Sequence, residues 1–411
     1  MKIPWHHQIL IRFASIMLLC MLSCSDGDSP PDNIGDVLDI IRDPAFSSVA
    51  TANTRFGFKL LSDVQSREPG TNIFISPLSI SIALTMTYNG AVEDTQLAMA
   101  EVLEIEGLDR DSVNRSNAAL RESLENRGSE VQLSIANSIW GRQGVEFNPD
   151  FLNRNREFFG AEITALDFGA PEAPETINGW VDTNTKGKIK KIVQRIDPRT
   201  LIMLINAIYF KGSWKEEFDK SRTRDGIFRL SDGAEKQVPM MTREGAYPYF
   251  RGDAFEAASL PYGDGNVNMY IFLPDRDSNL DEFLGVLNSE NWLIWLPQFR
   301  EGTDDSMIIL PRFKLEYEVK LNDTLKTLGM DIAFGGGADF SGMGPSLFIS
   351  EVRHKAIVEV NEEGTEAAAV TVVVGVESAP PSFIVDRPFF FAIYDGLTKS
   401  MLFMGIVVEP M

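Results

Sequence analysis

Few residues in this chain are typed and spaced for acid–base, nucleophilic or metal chemistry. Of three histidines, His6 and His7 lie at the extreme N-terminus, so only His354 serves the body of the chain. A multi-histidine zinc site is thereby excluded, and a Ser–His–Asp triad would have to use His354 as its base. Both cysteines, Cys20 and Cys24, precede residue 25, so the body has neither a disulfide nor a thiol nucleophile. His354 sits in a β-forming run where Val352, His354, Ala356, Val358 and Val360 share one face and Glu351, Arg353, Lys355 and Glu359 share the other with Ile357. That places it on the buried face, as a hydrogen-bonded core histidine rather than a base. Asn206 interrupts the apolar run Leu201–Phe210 in the same way. A buried amide costs a few kcal/mol when unpaired. The two residues therefore point to a small polar network across a sheet, able to fix two strands while leaving them separable.

Carboxylates are abundant, 59 acidic against 38 basic residues, for a formal net charge of −21. They are scattered, and a solvated acidic surface accounts for them better than a carboxylate-dependent hydrolase does. The same excess disfavours nucleic acid, whose binding rests on cationic neutralisation of phosphate.

One segment does not behave as a structural strand should. Asn361 to Pro381 reads Asn-Glu-Glu-Gly-Thr-Glu-Ala-Ala-Ala-Val-Thr-Val-Val-Val-Gly-Val-Glu-Ser-Ala-Pro-Pro. As a strand, one face is Thr365, Ala367, Ala369, Thr371 and Val373, and the other Glu366, Ala368, Val370, Val372 and Val374. Composition alone favours an ordinary sheet strand. Against that, Glu363-Gly364 and the triple alanine make a weak, flexible hinge, and Pro380-Pro381 cannot continue a central strand. A β-prone segment outside a sheet is an edge-pairing hazard that proteins suppress, so keeping one implies a use for adding a strand.

These features need a scaffold. The 411 residues are 44% apolar and 24% charged, a globular composition, and without repeats or a long linker the body reads as one large domain. A buried helix is expected over Ile80–Tyr88, stopped by Asn89-Gly90, and a second from Glu93 to Leu103. A third carries Ile177, Trp180 and Val181 behind Thr176 as its N-cap. Strands are expected at Leu201–Phe210, Asn268–Leu273, Met307–Leu310 and Leu347–Val360, with a hairpin of Phe389–Tyr394 and Met401–Val408 around Asp395-Gly396. Helices early and strands late make an α+β fold with a large mixed sheet. At the N-terminus, Lys2 and Arg12 precede the short apolar run Phe13–Leu22, which reads as a secretory signal over residues 1–23. Ser23-Cys24 resembles a bacterial lipobox despite Met21, with Cys24 lipidated, residues 24–40 as a tether, and the folded domain over 41–411. The expectation is an exported bacterial lipoprotein anchored to the envelope membrane (outer membrane or cell surface), or a secreted protein if the signal is cut elsewhere.

The body resembles the serpins, inhibitors that trap serine proteases by a conformational change. The resemblance runs from about residue 50 to the end. It is carried by Asn72-Ile-Phe-Ile-Ser76-Pro77-Leu-Ser79-Ile80, Asn206-Ala-Ile-Tyr-Phe210-Lys-Gly-Ser-Trp214, Leu310-Pro311-Arg312-Phe313, Ala338-Asp-Phe-Ser341-Gly342, His354-Lys355-Ala356, Asn361 to Ala369, Arg387-Pro388-Phe389 and Leu402-Phe-Met-Gly405. It implies an α+β serpin fold with a five-stranded mixed sheet, two smaller sheets, about eight or nine helices and an exposed reactive-centre loop over about 362–385. It also implies a monomer with no cofactor and no catalytic residue of its own. A target serine protease (or a cysteine protease) attacks the loop and is held covalently as an acyl-enzyme. The cut loop then inserts into the large sheet, with a driving force on the order of 10–20 kcal/mol from new hydrogen bonds and apolar burial. Carried over by position, the hinge is Glu363, Gly364, Thr365, Glu366, Ala367, Ala368 and Ala369. Ser76, Ser79, Asn206 and His354 match the shutter where the central strands part. Trp214, with Arg312 and Glu362 as an ion pair, matches the breach where insertion begins, and the helix around Trp180 matches the one lying across the large sheet.

Two scissile bonds remain open. Counting from Gly364 gives Ser378–Ala379, and counting back from Pro388 gives Glu377–Ser378. Ser378 suits elastase-like or subtilisin-like enzymes, and Glu377 a glutamate-specific one. No Arg or Lys lies between Gly364 and Val385, which argues against trypsin-like targets. The alternative is a non-inhibitory serpin-like binding protein whose loop is only a substrate. Such members carry bulky, charged or proline residues in the hinge, and between Gly364 and Val376 this chain has only the outward-facing Glu366.

Overall fold

The computed structural model describes residues 40–125, 129–364 and 382–411. The expected signal, Cys24 and the tether up to residue 39 lie outside the described residues. So do Thr365, Glu366, Ala367, Ala368 and Ala369 of the hinge, and Glu377, Ser378 and Ala379 of both candidate bonds.

The chain forms α1 (Pro44–Arg67), β1 (Ile73–Ile75), α2 (Pro77–Tyr88), α3 (Glu93–Val102), α4 (Arg110–Glu125), β2 (Val131–Arg142), α5 (Pro149–Phe159), β3 (Glu162–Leu166), α6 (Ala173–Asn184) and β4 (Ile202–Gly212). It continues with β5 (Arg224–Arg229), β6 (Glu235–Glu244), β7 (Pro248–Arg251), β8 (Phe255–Tyr262), β9 (Val267–Pro274), α7 (Leu280–Val286), α8 (Ser289–Trp295), β10 (Arg300–Glu301), β11 (Met307–Pro311), β12 (Phe313–Lys320) and α9 (Asn322–Leu325). The last strands are β13 (Ile349–Val360), β14 (Ser382–Ile384), β15 (Phe389–Asp395) and β16 (Ser400–Val407).

The expected α+β architecture is present. The five-stranded sheet has the order β12-β13-β4-β2-β3 and is mixed: β13 runs parallel to β4, which runs antiparallel to β2. A four-stranded sheet, β14-β11-β6-β5, stands apart from a seven-stranded one, β1-β16-β15-β9-β8-β7-β10. Of the two further sheets, one has fewer strands than the five-stranded sheet and the other has more but shorter ones. The seven-stranded sheet is built from strands of eight residues or fewer, whereas β2, β4 and β13 have 12, 11 and 12.

Local chemistry explains the helix ends. α2 starts earlier than the sequence suggested, because Pro77 suits the first helical position and the Ser76 hydroxyl accepts from the Ser79 N–H at 3.3 Å. All its residues are buried, which its lack of any charged side chain permits. α6 also starts early. Thr176 is not its N-cap: the residue lies inside the helix and its hydroxyl donates back to the Glu172 carbonyl at 3.1 Å.

The long strands alternate between two apolar layers. Ile202, Leu204, Ile208 and Phe210 of β4 face the main core with α2, while Met203, Ile205, Ala207 and Tyr209 face a second core under α6. The polar face of β13 is therefore not open to water throughout. Lys355 is buried there and donates to the Lys191 carbonyl at 2.8 Å.

β16 requires a glycine where it passes Phe391. A Cβ at Gly405 would lie 2.1 Å from the Phe391 ring, itself packed between Phe74 and Phe313 at 5.8 and 5.5 Å. Gly405→Ala is expected to cost about 1–3 kcal/mol of stability through overpacking, read as a lowered denaturant midpoint at unchanged m-value.

Candidate functional site

The middle of the large sheet carries the polar network. Asn137 on β2, Asn206 on β4 and His354 on β13 occupy one rung of the ladder. Asn206 Nδ2 donates to Asn137 Oδ1 at 2.5 Å, to the Ser79 carbonyl at 3.1 Å and to the Ser79 hydroxyl. Its Oδ1 accepts from His354 Nδ1 at 2.5 Å, and His354 Nε2 accepts from the Ser76 backbone N–H at 3.2 Å. The Ser76 hydroxyl donates to the Leu402 carbonyl at 2.7 Å. Ser76, Ser79, Asn206 and His354 are thus brought together by the rung and the start of α2. Both ring nitrogens of His354 are engaged in the neutral form, which leaves it no capacity to act as a base. Asn137 is the member sequence reasoning missed, although its position in the buried run of β2 carries the same signal as Asn206.

The upper end of β4 and β13 is built around Trp214. Its ring stacks on Tyr262 at 4.3 Å and its Nε1 donates to the Asn361 carbonyl at 2.9 Å. Beyond Val360 the chain closes a tight turn: the Asn361 N–H donates to the Gly364 carbonyl at 2.9 Å, and the Gly364 N–H returns to the Asn361 carbonyl at 3.2 Å. Gly364 also bridges antiparallel to Ser213 just past β4. Its φ is +125°, and a Cβ there would lie 2.1 Å from the Gly212 carbonyl oxygen, so only glycine fits. Glu363-Gly364 is accordingly not the loose hinge expected from composition but a pinned corner.

Charge reinforces this corner. The Glu362 side chain is 1% exposed, paired with Arg312, and accepts from the Thr223 hydroxyl at 2.6 Å. Burial pushes its carboxyl up, but the hydrogen bonds from Thr223 and Arg312 outweigh that and hold it below the ordinary value. Glu363 pairs with Lys220. Thr223 and Lys220 were missed because they lie in the polar run Asp219–Arg224, which reads as a solvated loop. Among the described residues no cluster could hold a metal ion.

The segment beyond residue 381 returns to the fold as β14, which pairs in parallel with β11 from Ser382↔Met307 to Ile384↔Ile309. Both flanks of the interval 365–381 are therefore anchored, one on the five-stranded sheet and the other on the four-stranded sheet.

A family model described as Serpin (serine protease inhibitor) matches residues 51–410. The chain belongs to the serpin family. Its curated relatives include the leukocyte elastase inhibitor of Bos taurus, 37% identical over 380 residues that cover 88% of this chain and 99% of the relative. Serpin B6 of Pongo abelii is 36% identical over 375 residues, with the same coverage. Among solved structures, the thermophilic serpin tengpin in its native state superposes with a TM-score of 0.82 at 32% identity, covering 89% of this chain and 95% of that one. Mouse protein-Z dependent protease inhibitor gives 0.84 at 26% identity, covering 91% and 100%.

These relatives correct the reading of the N-terminus. The curated serpins named here are mammalian, are matched over nearly their whole length, and none is named as a lipoprotein. The description of this serpin as a bacterial lipoprotein, exported to the envelope and membrane-anchored through Cys24, or secreted, does not stand. It rested on a short apolar run and one cysteine with a poorly matching Met21, against a similarity carried by hundreds of residues.

Burial holds the imidazole of His354 down to about 3 from an ordinary 6.5. The unfolded chain therefore takes up a proton that the fold refuses. His354 contributes full stability above pH 6.5 and a declining one as pH falls toward 3, with a slope of at most about 1.4 kcal/mol per unit. Guanidinium midpoints between about pH 6.5 and 5 are expected to fall for the unsubstituted serpin and to fall less steeply for His354→Gln. Equal slopes would contradict the buried neutral ring.

Proposed function

We propose that this serpin inhibits serine proteases by inserting its cleaved loop between β4 and β13, starting at Gly364 and ending near the scissile bond. Inhibition needs no chemistry from the inhibitor. The protease supplies its own nucleophile and forms an ester with the loop. What the serpin contributes is a fold change faster than deacylation.

The observation that carries this reading is the pairing of Gly364 with Ser213 on one side and Asn361 on the other. β4 and β13 are parallel neighbours, so a strand returning from β13 would lie antiparallel to both. Continuing both registers downward sets Thr365 beside Gly212, Ala367 between Phe210 and Val358, Ala369 between Ile208 and Ala356, and Thr371 between Asn206 and His354. The two registers meet on the same rung, which supports a single slot. On the core-facing side the entering residues are small. On the other side Glu366, the sole charge between Gly364 and Val376, comes opposite Lys211. At the middle rung a threonine hydroxyl takes the place of the direct His354–Asn206 bond, so opening the sheet leaves no polar group unpaired.

A cut at Ser378–Ala379 or Glu377–Ser378 lies between the two anchored flanks. The upstream part is then free to zip into the slot while β14 stays on β11. Ser378 favours a protease with a small primary pocket, elastase-like or subtilisin-like. The relatives named as leukocyte elastase inhibitors support this choice.

Incubation with elastase or subtilisin is expected to give an SDS-stable complex at a stoichiometry near one, with a released C-terminal peptide beginning at Ala379. A peptide beginning at Ser378 selects the alternative bond, and loop cleavage without a complex refutes inhibition. Ala369→Arg puts a charged side chain beside Ile208 in the core. It is expected to shift the outcome toward turnover as a substrate by about tenfold or more, equivalent to about 1.4 kcal/mol on the competition between insertion and deacylation.

A further inference from the structure

The turn at the top of the sheet holds two adjacent buried carboxylates, and the Arg312 pair accounts for only Glu362. The Glu363 side chain is 5% exposed, its Oε1 is paired with Lys220 Nζ, and its Oε2 has no hydrogen-bond partner among the described residues. Its backbone is fixed on both sides: the N–H donates to Asn361 Oδ1 at 3.1 Å, and the carbonyl accepts from the Trp214 N–H at 2.9 Å. Glu363 is thus the residue through which the turn grips both the end of β13 and the extension of β4. Lys220 holds it from a separate platform, the short helical turn Lys220–Arg222, which is capped by Asp219 accepting from the Ser221 N–H at 2.9 Å.

A buried carboxylate is tolerated only when it is paired. With Lys220 removed, Glu363 relieves its desolvation by swinging to water, which opens the turn and lifts Gly364 away from Ser213. The first pair of a new ladder must then be formed against chain entropy rather than found in place. Insertion competes with deacylation, so a slower start diverts the acyl-enzyme toward turnover.

We infer that Lys220 is a positioning residue for loop insertion: by holding the buried Glu363 carboxylate it keeps the Asn361–Gly364 turn closed, so that the first pairing of the inserted strand exists before the loop is cut. This inference rests on the inhibitory reading above. It assigns Lys220 no contact with the protease and no effect on the rate at which the loop is cleaved.

The test compares the unsubstituted protein with Lys220→Met, Lys220→Arg, and the exchange pair Lys220→Glu with Glu363→Lys, using elastase as the probe. Lys220→Met is expected to raise the stoichiometry of inhibition severalfold at an unchanged rate of loop cleavage. Lys220→Arg is expected to remain near the unsubstituted value, and the exchange to recover most of the loss. A lysine that merely stabilises the fold would lower the thermal midpoints of the intact and cleaved forms together and leave the stoichiometry alone. A folded Lys220→Met protein with unchanged stoichiometry overturns the inference. Hydrogen exchange over residues 361–364 provides an arm independent of inhibition: faster exchange in Lys220→Met supports the clamp, and unchanged exchange overturns it. If the unsubstituted protein forms no SDS-stable complex, the inhibitory reading fails, while the exchange arm still decides whether Lys220 closes the turn.

Discussion

The seam between β4 and β13 is the constraint on which this architecture turns. Two parallel strands have to be joined firmly enough to form the middle of a sheet, yet their joint must be one that a third strand can replace. An apolar seam would meet the first demand and fail the second, since interdigitated side chains resist separation and leave voids when they move. The Asn206–His354 contact meets both. Its hydrogen bonds are strong in a buried setting, and they can be made again with another hydroxyl at the same rung. Ser76 and Ser79 tie this rung to the rigid α2 beneath, so the network has a fixed base while the strands above it part.

Much of this was legible in the residues themselves. The buried polar residues, the β-prone segment after Val360 and the expected strands came from periodicity and turn chemistry. The resemblance to serpins then connected them. The helix starts were misplaced because Pro77 and Ala173 extend their helices upstream of the first apolar repeat, where pattern alone has no purchase. Asn137 was overlooked although it stands in the same kind of run as Asn206. Lys220 and Thr223 carried no signal: a lysine and a threonine among Asp219, Ser221, Arg222 and Arg224 read as surface, and only their placement beside two buried glutamates gives them a role.

Composition misled at Glu363-Gly364. Acidic residues next to glycine suggest freedom, because nothing in the local sequence says that both carboxylates are buried and paired. Their cations come from distant parts of the chain, Arg312 between β11 and β12 and Lys220 beyond β4. Long-range pairing of this kind is invisible to any local window. The N-terminal reading failed for a related reason: a short motif was weighed without the relatives that set its context.

The closed turn after β13 has a consequence for competition. A strand joined to its slot by four residues is presented at an effective concentration that a separate peptide of the same sequence would have to match, which for short tethers means millimolar levels. Once cleavage frees the loop and the sheet parts, the molecule's own strand therefore reaches the slot ahead of any outside strand, through proximity rather than shape.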